Sequence, residues 1–156
     1  MKINKITIIL TLFLLFNCDY KPIYSTKSIE KNKNFTINSI VFSGENKINK
    51  KLQNNLTNYL NLKSKKIKYN LIIDSSSIRK ISSRDKKGIP ERYVIIIRFN
   101  IDFLQNDKLV SNEKFEKSYE YKNMSNKYDL KVYEENVQNN LVDNIYEDII
   151  RYLNLL

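Results

Sequence analysis

Residues 92–103 read RYVIIIRFNIDF, and few other segments of the chain leave so little choice of secondary structure. Tyr93, Ile95, Ile97, Phe99, Ile101 and Phe103 fall on one side of a strict period-two pattern, which predicts a strand with one fully buried face. The opposite side passes from Val94 and Ile96 to Arg98, Asn100 and Asp102, so it becomes wetter along the strand. Working forward, Asn106-Asp107 is a turn dipeptide. KLVSNEKFEKSYEY, residues 108–121, then supplies a partner strand carrying Phe115, Tyr119 and Tyr121, and the two form a hairpin. Working backward, KIKYNLIID, residues 66–74, repeats the alternation with Ile67, Tyr69, Leu71 and Ile73. FTINSIVFS, residues 35–43, is rich in β-branched and aromatic residues and reads as a further strand ended by Gly44.

Two segments change period. From Asn46 the apolar residues Ile48, Leu52, Leu56, Tyr59 and Leu60 make one stripe of a helix, with Lys and Asn opposite. From about Asn126 a longer stripe runs through Leu130, Tyr133, Val137, Leu141, Ile145, Ile149, Tyr152 and Leu156. The order is β-α-β-β-β-α. It predicts an α+β domain over residues 35–156: a four-stranded, mostly antiparallel sheet with two helices packed on one face.

Ahead of this domain, ITIILTLFLLFNCDYKPIY, residues 6–24, carries an apolar run that ends near the chain's one cysteine. Ile6 to Phe16 would span, as a helix, about half of a bilayer's hydrocarbon core. Lys2 and Lys5 precede it, as in the n-region of a signal peptide. No small-x-small cleavage site ends the run, but Leu15 stands three residues before Cys18, as in a lipoprotein box. Asn17 departs from the usual small residue of that box. The expected organisation is a lipoprotein signal over 1–17, a lipidated tether over 18–34 with the lipid on Cys18, and the domain; an uncleaved signal anchor is the alternative. A lone cysteine is elsewhere most often a small buried apolar residue.

Loss of Lys2 and Lys5 with the signal lowers the net charge from +10 to +8. A positive balance of that size suits polyanions: an anionic membrane surface, a phosphorylated glycolipid or nucleic acid, the last disfavoured by export. Abundant Lys, Asn and Ile also follow from an AT-rich genome, with no partner involved. The chain has no histidine, a single cysteine and two glycines. That excludes histidine-based catalysis, histidine–cysteine metal sites, an intramolecular disulfide and a glycine-rich phosphate loop. No acidic pair stands out for carboxylate chemistry. The expectation is a protein without catalytic residues, metal or cofactor.

The segment SSIRKISSRDKKGIPER, residues 76–92, is read as a long loop between the second and third strands. It gathers Arg79, Lys80, Arg84, Lys86, Lys87 and Arg92 within 14 residues, around Gly88 and Pro90. Two readings stand side by side. Lysines keep an exposed hairpin tip soluble; equally, arginine forks and lysine point charges bind phosphate.

The order of elements, the segment CDYKPIY from Cys18 to Tyr24, and the tail KSYEYKNMSNKYDLKVYEENVQNNLVDNIYEDIIRYL resemble the LPS-assembly lipoprotein family LptE/RlpB, particularly its alphaproteobacterial forms. Asp19 stands where that family usually has glycine. The resemblance covers nearly the whole chain. It implies a non-enzymatic outer-membrane lipoprotein, anchored through Cys18 and facing the periplasm. Such a protein sits as a plug in the lumen of the LptD β-barrel and helps carry lipopolysaccharide to the outer leaflet. The cations of residues 79–92 would then meet lipopolysaccharide, and nucleic acid is not a partner. The alternative is a generic periplasmic lipoprotein that binds an anionic envelope surface without a barrel.

Overall fold

The computed structural model describes residues 34–62 and 67–156. The expected signal, Cys18 and the tether up to Lys33 lie outside the described residues. Strand β1 (Phe35–Gly44) is followed by helix α1 (Asn46–Leu56), a 3-10 turn (Thr57–Tyr59), and strands β2 (Ile67–Arg84), β3 (Pro90–Gln105) and β4 (Lys108–Lys122). Helix α2 (Lys127–Leu153) closes the chain. The sheet order is β1-β2-β3-β4. β1 runs parallel to β2, as a strand reached through a helical crossover must, and the other two pairings are antiparallel.

The alternation of residues 92–103 is realised in full. Tyr93, Ile95, Ile97, Phe99, Ile101 and Phe103 are all buried. They form one core with Tyr69, Leu71 and Ile73 of β2, with Ile48, Leu52 and Leu56 of α1, and with Leu130, Val137, Leu141, Ile145 and Ile149 of α2. Both helices therefore cover one face of the sheet, while on the other face Val41 and Ile72 remain exposed. Val142 and Leu153 are also buried, which widens the α2 stripe beyond the residues anticipated. Leu156 lies past the helix end and is exposed. Asn126 caps α2 by accepting from the backbone N–H groups of Tyr128 (2.9 Å) and Asp129 (3.4 Å). Asp129 in the first turn and Arg151 in the last complement the helix dipole.

Two details of β1 follow from its sequence. Phe35 and Ile37 occupy odd positions, Ile40 and Phe42 even ones. The register shift between Ile37 and Ser39 inserts one residue, so all four side chains join the core. At the β1–α1 junction Gly44 has φ +85°, and a Cβ there would stand 2.0 Å from the carbonyl oxygen of Ser75. Glu45 N–H donates to the same carbonyl (3.2 Å) and to Ser75 Oγ (2.9 Å), so the helix begins pressed against β2.

The expected long loop before β3 is a correction. β2 continues to Arg84 and pairs with β3 from Asn70 to its end, with Ile78 opposite Ile96, Arg79 opposite Ile95 and Ile81 opposite Tyr93. The physical reason is the central strand: β3 needs hydrogen-bond partners on both edges along its whole length, so the serine-rich segment is drawn into the ladder despite its polarity.

A cationic hairpin tip as candidate functional site

The β2–β3 hairpin narrows to five residues, Asp85–Ile89, whose geometry rests on one carboxylate. Asp85 Oδ1 accepts from the backbone N–H groups of Lys87 (2.9 Å) and Ile89 (2.8 Å). Asp85 N–H donates to Ile89 O (2.9 Å), and Gly88 N–H to Asp85 O (3.0 Å). Gly88 takes φ +79°, a conformation that favours glycine. Arg84 Nη1 donates to Gly88 O (2.7 Å), which holds its side chain across the turn.

The six basic residues divide into two groups. Arg79 points to the helical side and is held there by three neighbours, although part of its side chain stays exposed. Its Nε donates to Glu134 Oε1 (2.7 Å) and to Tyr121 Oη (3.2 Å), and Tyr121 Oη donates to the same Glu134 oxygen (2.6 Å). Its guanidinium lies 3.6 Å from the centroid of Tyr93. Burial opposes the Arg79 charge, but the hydrogen bonds to Tyr121 and Glu134 outweigh it and hold the group more firmly protonated. Arg92 Nε lies 3.2 Å from Glu120, without the alignment of a hydrogen bond. Glu120 also accepts a hydrogen bond from Ser82. Hydrogen bonding from Ser82 first, then the Arg92 charge, keeps this carboxyl below its ordinary range.

Lys80, Arg84, Lys86 and Lys87 form the second group. They are exposed, and none has a carboxylate partner among the described residues. The cross-strand register adds Lys122 beside Arg92 at the same end of the sheet. Ile81 and Ile89, 41% and 53% exposed, stand among these cations. The tip thus carries exposed cations and two part-exposed isoleucines in the same short segment. Lys122 escaped the reading of the sequence because it becomes a neighbour of the cations only through strand pairing. Ile81 and Ile89 lie within the stretch itself, and what the sequence did not show is that they stay exposed. No group of His, Cys, Asp or Glu among the described residues is arranged to hold a metal ion.

The sequence matches no family profile and no curated protein. The fold does have solved counterparts. Rare lipoprotein B from Shewanella oneidensis superposes with a TM-score of 0.51 at 14% identity, covering 74% of this chain and 96% of that one. A minor lipoprotein from Acinetobacter baumannii gives 0.58 at 12% identity, with 77% and 91% covered. An uncharacterized lipoprotein B from Nitrosomonas europaea gives 0.50 at 9% identity, with 78% and 83% covered. This chain has the α+β fold of those lipoproteins.

Proposed function

We propose that this protein is a non-enzymatic envelope lipoprotein, anchored through Cys18, that plugs an LptD-type β-barrel of the outer membrane and takes part in moving lipopolysaccharide to the outer leaflet. The observation that carries the reading is the combination of a fold otherwise found in lipoproteins with an amphipathic cationic tip. Phosphates and acyl chains are the two chemistries of a lipopolysaccharide's lipid end, and the tip offers cations and exposed isoleucines together. The remaining surface also suits a polar lumen: the uncovered sheet face carries Asp74, Arg98, Asn100, Lys114 and Glu116. The acyl chains on Cys18 and the barrel would act as two anchors, which together make attachment firm.

Purification of the full chain from native membranes in mild detergent tests the proposal. A stoichiometric outer-membrane barrel should accompany it. Recovery of the lipidated chain alone would leave a lipoprotein that acts without a barrel.

A further inference from the structure

The seam between β4 and α2 opens midway into a groove of about 280 Å³ lined by Tyr119, Tyr133, Asn136, Asn140, Asn144 and the apolar pair Val137 and Leu141. Its two ends are fixed. At one, Tyr121 donates to Glu134; at the other, Lys117 pairs with Asp148 at 2.7 Å. Between these ties no lining side chain carries a charge, in a chain of which 28% is charged. We propose that this groove binds a neutral saccharide.

The lining has the three elements that sugar recognition needs. Asn136, Asn140 and Asn144 follow one another at helical spacing, roughly 6 Å apart along the axis. All three are exposed, and none of their amides has a hydrogen-bond partner among the described residues. Each amide presents a donor and an acceptor side by side, the pairing that vicinal hydroxyls require. Tyr133 packs against Tyr121 at 5.8 Å between ring centroids, whereas Tyr119, its hydroxyl paired with that of Tyr133, is 48% exposed and offers aromatic surface to the C–H side of a pyranose. Val137 and Leu141 form an apolar floor. A phosphate would find no cation here, and a strongly charged peptide no counter-ion. Asparagines capping a turn or facing bulk water are common in this chain. These three differ in lining a concavity that holds no charged side chain and includes a half-exposed aromatic ring. The site is separate from the cationic tip and stands or falls independently of the proposed function.

Neutral saccharide could come from the sugar portion of a glycolipid or from wall glycan, and the test separates them. The full chain in detergent is titrated calorimetrically with dephosphorylated, delipidated core oligosaccharide and, separately, with N-acetylglucosamine oligomers. Saturable binding to one of them, insensitive to salt, is expected. The Asn136→Ala/Asn140→Ala/Asn144→Ala variant should bind about tenfold or more weakly, the equivalent of one or two lost hydrogen bonds. Alanine favours the helix, so folding should be retained. Tyr119→Ala, a change on the strand side, should weaken binding as well. Arg84→Ser/Lys86→Ser/Lys87→Ser should leave it unchanged. Absence of saturable binding to both ligands, or unaltered affinity in both groove variants, overturns the proposal.

Discussion

Arg79 illustrates how neighbours determine what a charge does. Its guanidinium is shared among Glu134, Tyr121 and the Tyr93 ring, so replacing it should loosen the β4–α2 seam without touching anion binding. A double-mutant cycle with Arg79→Met and Glu134→Gln should return a coupling of about 1 kcal/mol, since the pair is partly exposed. Measured by denaturant unfolding, zero coupling would show the pair to be incidental. The phenols around it define an alkaline limit. Desolvation first, and then the bond to Glu134, push Tyr121 up to about 12. Burial raises Tyr69, and burial with the Tyr59 neighbour raises Tyr146. Each ionises later folded than unfolded, so their contribution is complete below about pH 10 and disappears as pH rises through the folded values. Stability should therefore fall above about pH 10, in step with phenolate absorbance. On the acid side Glu116 and Glu135 are held low, chiefly by hydrogen bonds from Lys114 and Lys47, so that contribution is lost as pH falls below the ordinary carboxylate value of 4.5. Gly44→Ala should destabilise by well over about 1 kcal/mol, because its φ is positive and the Ser75 carbonyl fills the Cβ position.

At the scale of elements, α2 is held by its apolar stripe. Leu141→Ala should cost about 2–5 kcal/mol, since the side chain is buried beneath the groove against the core. An unchanged denaturant midpoint would mean that the helix is not docked. The hairpin tip behaves differently. Lys86 and Lys87 lie in the turn and Arg84 ends β2, where its one hydrogen bond, to Gly88 O, is exposed, so changing all three to serine should cost about 1 kcal/mol at most. The same variant should bind purified lipopolysaccharide more weakly at moderate salt, each direct charge-assisted contact having contributed about 1.5–3 kcal/mol. Unchanged affinity would return the tip to a solubility role. Arg79→Met should bind as the parent does, which separates the committed arginine from the free cations.

For the molecule as a whole, attachment at Cys18 is the property on which the functional reading depends most. Intact mass of membrane-extracted protein should show loss of residues 1–17 and added acyl chains. Cys18→Ser should abolish both, leaving a chain of unprocessed mass that still carries residues 1–17 and has no acyl chain. A mature chain that retains Met1 would contradict lipoprotein processing.

Strand and helix identities, element order and most of the core were legible in the residues, because one-sided burial imposes a period of two or nearly four on the apolar positions. Even the β1 bulge is written in the sequence, as the shift of apolar residues from odd to even positions between Ile37 and Ile40. What tertiary structure decided was the fate of polar segments. Local composition made residues 76–92 a loop; the unsatisfied backbone of β3 made most of them strand. Pairing across the sheet then sorted six sequence-adjacent cations into those with a carboxylate partner and those without, brought Lys122 beside Arg92, and opened an uncharged groove beside three asparagines. Periodicity records which side of an element is buried. Which partner a polar side chain finds depends on chain segments far away in sequence, and only the packed fold brings those together.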